Sequence, residues 1–139
     1  RDQLGASVSG AGDVNGDGYD DLIVGANLDD NNGNASGSAR VFSGLDGSIL
    51  YTFHGDAADG QLGYSVSCAG DVNNDGFADL IAGAWLDDNN GSNSGSATVI
   101  RSFPLPTPPA SCPGNANGDT IVNFDDINAV IANWLNVCP

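Results

Sequence analysis

Asp13-Val14-Asn15-Gly16-Asp17-Gly18-Tyr19-Asp20-Asp21 returns further along the chain as Asp71-Val72-Asn73-Asn74-Asp75-Gly76-Phe77-Ala78-Asp79. In both copies oxygen-bearing side chains fall at positions 1, 3, 5 and 9, and glycine stands at position 6, where a tight loop must turn. A hard cation such as Ca²⁺ takes six to eight oxygens, from carboxylates, side-chain amides and backbone carbonyls. Alternate residues of such a turn can point inward together. Asp13, Asn15, Asp17 and Asp21 are therefore expected ligands, with the Tyr19 carbonyl, and so are Asp71, Asn73, Asp75 and Asp79 with the Phe77 carbonyl. Without an ion, three carboxylates this close together repel. The bland alternative is an acidic, Asx-rich turn that holds no metal, and the recurrence of the pattern at one register speaks against it.

The loops belong to a longer repeat. Residues 4–42 align with 62–100 at an offset of 58 without a gap, and 28 of the 39 positions are identical. A period of this size belongs to blade-like or solenoid arrays. Within one unit the reading is all-β. Leu4–Ser9 alternates apolar and small polar residues, as a half-buried strand does. Leu22–Ala26 is a short apolar run typical of a strand buried on both faces. Ala39–Phe42 and Ile49–Phe53 supply a third and a fourth strand, with turn-rich Leu28–Gly33 and Leu45-Asp46-Gly47 between elements. Four short antiparallel strands make one propeller-like blade. The second unit stops after Val99-Ile100, with no counterpart of Ile49–Phe53.

Composition supports loops over helices. The net charge of −15 comes from 18 acids, every one aspartate, against Arg1, Arg40 and Arg101, with no lysine. A helical surface laced with ion pairs would use Glu and Lys, whereas Asp favours turns and ligand loops. The charge argues against binding nucleic-acid phosphates or an anionic membrane surface, and no stretch is long and apolar enough to span a bilayer. The chain begins at Arg1 without a signal-like run, so an upstream segment is expected to be removed or not shown.

Beyond the repeats, Pro104–Pro109 is a stiff polyproline spacer leading to a short unit bracketed by Cys112 and Cys138. In this unit Asn115, Asn117, Asp119, Asn123 and Asp126 take positions 1, 3, 5, 9 and 12 of an EF-hand-type loop, with the Ile121 carbonyl at 7. Ile127, Val130, Ile131, Trp134 and Leu135 then mark one apolar helix face. A Cys112–Cys138 disulfide would staple the unit, implies an oxidising compartment and contributes roughly 3 kcal/mol. Cys68 is left as a buried, free thiol; its counterpart in the first repeat is Gly10.

These residues resemble known families. Leu4-Gly5-Ala6-Ser7-Val8 and Leu62-Gly63-Tyr64-Ser65-Val66 stand at the Phe-Gly position of FG-GAP repeats, the blades of integrin α-type propellers. Gly25-Ala26 and Gly83-Ala84 match Gly-Ala-Pro, with Asn27 and Trp85 in place of proline. The two acidic loops match that family's Ca²⁺ loops. The tail is similar to half of a dockerin, from which it departs by Asn115 at position 1, Thr120 where glycine is expected, and its single copy. The fold expected is mainly β: two propeller-type blades of four-stranded antiparallel sheet over residues 1–103, the second incomplete. A linker at 104–111 and a calcium loop-helix unit at 112–139 complete it. Two blades cannot close a ring, which leaves apolar faces and strand edges open.

The function expected first is a secreted, Ca²⁺-stiffened module that assembles with copies of itself into a fibre or surface array. The rival is an adhesion fragment that binds a glycan or protein ligand, its dockerin-like tail docking a partner. No enzyme is expected. His54 has no partner motif, and the pairs Asp29-Asp30 and Asp87-Asp88 lie in loops that read as solvated turns. Asn34-Ala35-Ser36 and Asn90-Gly91-Ser92 match the N-glycosylation acceptor pattern.

Overall fold

Short runs of β-branched and small residues, punctuated by glycine, become seven strands in the computed structural model, which describes residues 2–102. The first sheet holds β1 (Ser7–Gly12), β2 (Asp21–Ala26), β3 (Ser38–Phe42) and β4 (Ile49–His54) in that order, all antiparallel. The second holds β5 (Leu62–Gly70), β6 (Asp79–Ala84) and β7 (Ser96–Ile100), also antiparallel. Whether a fourth strand follows β7, which the shortened second repeat leads one not to expect, falls outside the described residues. The linker, the Cys112–Cys138 staple, the loop Asn115–Asp126 and the helix after it lie outside the described residues.

Strand bounds differ from the sequence expectation in one instructive place. The first strand begins at Ser7, not Leu4. Gly5 at φ +99 and Gln3 at φ +51 turn the chain there, although Gly5 still donates its N–H to the Gly25 carbonyl. At the other end β1 runs on to Gly12 through a register shift between Gly10 and Gly12. A bulge of this kind bends a strand and re-aims the chain beyond it, here the acidic loop.

The two sheets pack face to face within one compact unit. Ala11, Val14, Ile23, Ala39 and Val41 of the first blade form the core with Leu80 of the second, and Val66, Ala78 and Ile100 pack against it. The motif glycines make this approach possible. A Cβ on Gly25 would overlap the Gly63 carbonyl oxygen, and one on Gly63 would overlap that of Ser38. Ser7 Oγ donates to the same Gly63 carbonyl at 2.7 Å, and Leu62 N–H donates to the Ser36 carbonyl. Gln61 Oε1 accepts both Asn27 Nδ2 and Trp85 Nε1 at 3.0 Å, so both residues that replace proline serve one bridge.

Leu22–Ala26 is not covered on both sides. Leu22 is 52% exposed, whereas its counterpart Leu80 is 2% exposed. Val41 is fully buried and its counterpart Val99 is 49% exposed. Each buried member faces the other blade; each exposed one lies on an outward face. We call the face of a blade that carries Leu22 or Leu80 its leading face and the opposite one its trailing face.

Candidate metal loops and ligand surface

Each acidic loop is first a device for organising backbone. Asp13 accepts the N–H of Gly16 at 2.7 Å and of Asp17 at 3.1 Å on Oδ1, and that of Gly18 at 2.9 Å on Oδ2. Asn15 Oδ1 accepts Asp17 N–H at 3.0 Å, while Asn15 Nδ2 donates to Asp17 Oδ2 at 2.9 Å. Asp17 Oδ1 then accepts Tyr19 N–H. The second loop repeats the net: Asp71 accepts Asp75 and Gly76 N–H, Asn73 bridges to Asp75, and Asp75 accepts Phe77 N–H. Gly18 and Gly76 have φ of +88° and +92°, the left-handed turn that their position demands.

Position 9 is placed differently from the rest. Asp21 is fully buried, with Oδ2 accepting Val14 N–H and Oδ1 accepting Gly44 N–H, both at 3.0 Å. Asp79 is also fully buried and takes Val72 N–H and the N–H and hydroxyl of Ser102. The Ser102 N–H, with that of Val72, holds the Asp79 carboxyl below its ordinary range against the opposing effect of burial. These two aspartates tie the start of each loop to the residues just after the third strand.

The donor chemistry of positions 1, 3, 5 and 9 suits a hard cation, being oxygen throughout. A carboxylate oxygen that accepts one N–H keeps a further lone pair, so the backbone net shapes the loop without exhausting its oxygens. Among the described residues no three Asp, His or Cys side chains are gathered at metal-holding distance. The two loops lie side by side: Ala78 N–H donates to the Asp13 carbonyl, and the Phe77 ring lies over Gly16.

The Asp29 and Asp87 loops correct the expectation of solvated turns. Both carboxyls are buried. Asp29 accepts Ser38 Oγ at 2.7 Å and Asn31 N–H at 3.1 Å, and it pairs with Arg40 at 3.4 Å. Burial alone would raise its pKa, but the Ser38 hydroxyl, the Asn31 N–H and the Arg40 charge together leave it below the ordinary value. Asp87 holds Ser96 and Asn89 in the same manner. A serine nine residues on, at Ser38 and Ser96, is the available signal. Both loops anchor their own turns.

His54 is exposed at the end of β4, with Asn31 Nδ2 3.3 Å from Nδ1. Cys68 is a free, half-buried thiol whose sulfur accepts Gly70 N–H. Asn34 and Asn90 are exposed, and Asn34 Nδ2 donates to Asp59. Sequence reasoning missed one feature. Tyr64 and Trp85 stack with centroids 5.0 Å apart, each about half exposed. Their counterparts are Ala6 and Asn27, so departure from the repeat is the signal. A groove of about 610 Å³ also opens between β4 and β7, lined by Phe53, His54, Asp87, Thr98 and Ile100 among others. Among the described residues no helix is long and apolar enough to cross a membrane.

Comparison with known proteins places these features. The chain is 37% identical over 110 residues to integrin alpha-11 of Homo sapiens, covering 74% of this chain and 8% of that protein. It is 34% identical over 90 residues to integrin alpha-V of Gallus gallus, covering 65% and 8%. To integrin alpha pat-2 of Caenorhabditis elegans it is 32% identical over 117 residues, covering 76% and 8%. It thus spans less than a tenth of the length of these relatives. The FG-GAP repeat matches residues 4–42 and 63–100, more than half of the chain, and these stretches carry β1 to β3 and nearly all of β5 to β7. On that match, the chain belongs to the FG-GAP repeat family.

Proposed function

We propose that this chain is part of an extracellular, adhesion-type propeller whose blade loops hold Ca²⁺ and whose surface takes a protein or glycan ligand. The observation that carries the reading is the pair of oxygen-lined loops, alike in sequence and hydrogen bonding, set side by side in blades that belong to the FG-GAP family. Similarity to integrin α subunits favours adhesion over a self-assembling fibre and over catalysis. Bound Ca²⁺ supplies positive charge that offsets carboxylate repulsion and fixes the loops. Asp13, Asn15, Asp17, the Tyr19 carbonyl and Asp21 hold one ion; Asp71, Asn73, Asp75, the Phe77 carbonyl and Asp79 hold a second. Asn115, Asn117, Asp119, the Ile121 carbonyl, Asn123 and Asp126 are the ligands of a third. The stacked Tyr64–Trp85 pair is the ligand contact this reading favours, since exposed aromatic faces bind sugar and protein surfaces.

Metal analysis and thermal melts test the ion sites. Sites of this kind in extracellular modules bind at about 10⁻⁴–10⁻³ M, so millimolar Ca²⁺ raises the melting temperature and EDTA lowers it. Asp17→Ala and Asp75→Ala each remove roughly one ion. Protein that holds no Ca²⁺ at millimolar calcium overturns the metal reading. Glycan and integrin-ligand arrays probed with wild type and Trp85→Ala test the adhesion reading, which fails if both bind nothing.

A further inference from the structure

The blade interface has a ring and a seat. Phe77, at position 7 of the second loop, lies over Gly16, at position 4 of the first. A Cβ on Gly16 would stand 2.6 Å from the ring's Cε1, closer than carbon atoms approach. Gly16 also has φ +80°, a left-handed conformation that glycine adopts freely and asparagine tolerates. Two demands therefore meet at this position, and glycine alone satisfies both with the ring left in place.

The same two places occur once more on the outward faces. Tyr19 is the counterpart of Phe77, and it is exposed on the first blade's leading side. Asn74 is the counterpart of Gly16 and is exposed, with φ +60°. Asn74 meets the backbone demand and not the demand for space. Leu4, Val8 and Leu22 of the first blade are exposed as well, whereas Leu62 and Leu80 in the second blade are buried against the first. The interface already formed thus states what would cover the open side: a blade of the same repeat, placed as the first is to the second.

We propose that loop position 4 helps decide which blade can precede which, so that the open leading face of the first blade takes an FG-GAP blade with glycine there and disfavours a copy of this chain's second blade. Asn74 brings a Cβ to the place where the Tyr19 ring must lie, and the ring is driven off its seat. Two other meeting places do not discriminate, whereas at a third Asp20 and Gly70 would stand where Ala78 meets Gly12. Gly83 and Gly95 repeat Gly25 and Gly37, beside which Gly63 and Leu62 are received. The inference rests on blade packing alone and stands or falls apart from calcium binding and adhesion.

The full chain tests it by sedimentation at micromolar concentration. Asn74→Gly opens the seat on an exposed loop, and it is expected to tighten head-to-tail self-association at least tenfold over wild type. Adding Tyr19→Ala to Asn74→Gly is expected to return association to the wild-type level. Equal association of wild type and Asn74→Gly, or association that ignores Tyr19→Ala, overturns the proposal. The reverse change works within one chain. Gly16→Asn is expected to lower the melting temperature, and to lower it less when Phe77→Ala has already removed the ring. Strictly additive losses in that pair of backgrounds overturn it as well.

Discussion

Leu22 and Leu80 occupy the same place in two repeats that agree at 28 of 39 positions, with the same glycine and alanine further along each strand. One is half exposed and the other is among the best-buried residues of the core. The reversal holds for Val14 against Val72 and for Val41 against Val99, with the first blade now the buried member. Near-identical sequence thus gives near-identical backbone and opposite burial. Local pattern sets strands, turns and loops, while the neighbour sets which face is core. The two blades differ in what stands beside them far more than in what they are.

The largest effect should separate the two leucines. Leu80→Ala empties a fully packed site and is expected to cost about 2–5 kcal/mol, whereas Leu22→Ala should cost well under about 1 kcal/mol. Denaturant melts of both variants measure this; similar losses would mean that the first blade's leading face is covered in solution. Next in size come the buried carboxylates, where the two blades are expected to behave alike. Asp21→Ala and Asp79→Ala each strand two backbone N–H partners. Their melting temperatures should fall in EDTA as well as in calcium, in contrast to Asp17→Ala and Asp75→Ala, whose effect should shrink once calcium is removed.

Titration sharpens the same point. Asp79 has a lower pKa in the folded chain than the value of about 3.9 for an unfolded one. Its contribution is complete above that unfolded value and is lost as pH falls through the lower folded value. The stability gap between wild type and Asp79→Asn should therefore be constant from pH 7 to about pH 5 and narrow below about pH 4. A gap that widens on acidification would contradict the hydrogen-bonding described. The smallest effect concerns Arg40, which pairs with Asp29 where the second blade has Thr98 beside Asp87. Arg40→Thr should cost at most about 1 kcal/mol and lose part of that cost in high salt; a larger, salt-independent loss would point to packing by the arginine stem.

Legibility in the sequence obeys the same division. The 58-residue offset and the glycines at position 6 of each loop are local signals, and the fold has them where expected. The start of β1 escapes the pattern because Leu4 extends an alternation that Gly5, at positive φ, breaks. The burial of Asp29 and Asp87 escapes it because an Asp-Asn-Gly run looks solvated. Nothing in that run shows that Ser38 or Ser96, nine residues away, will fold back over it. Which copy of Leu or Val is core is not readable at all, since identical residues cannot announce different neighbours. The two roles of aspartate within one loop are hidden similarly: position 1 gathers the turn, whereas position 9 leaves it to hold a residue 23 places away.

That last bond has a mechanical meaning. Ser102 is the point where β7, the last of the described strands in its sheet, hands the chain on. A pull exerted on the chain at Ser102 would otherwise peel β7 from β6 one ladder bond at a time, starting at Ile100 opposite Leu80. Asp79 grips both the amide and the hydroxyl of Ser102 ahead of that first ladder bond. Tension reaches this buried clasp before it reaches the sheet, and the clasp passes the load to the root of the acidic loop at Val72.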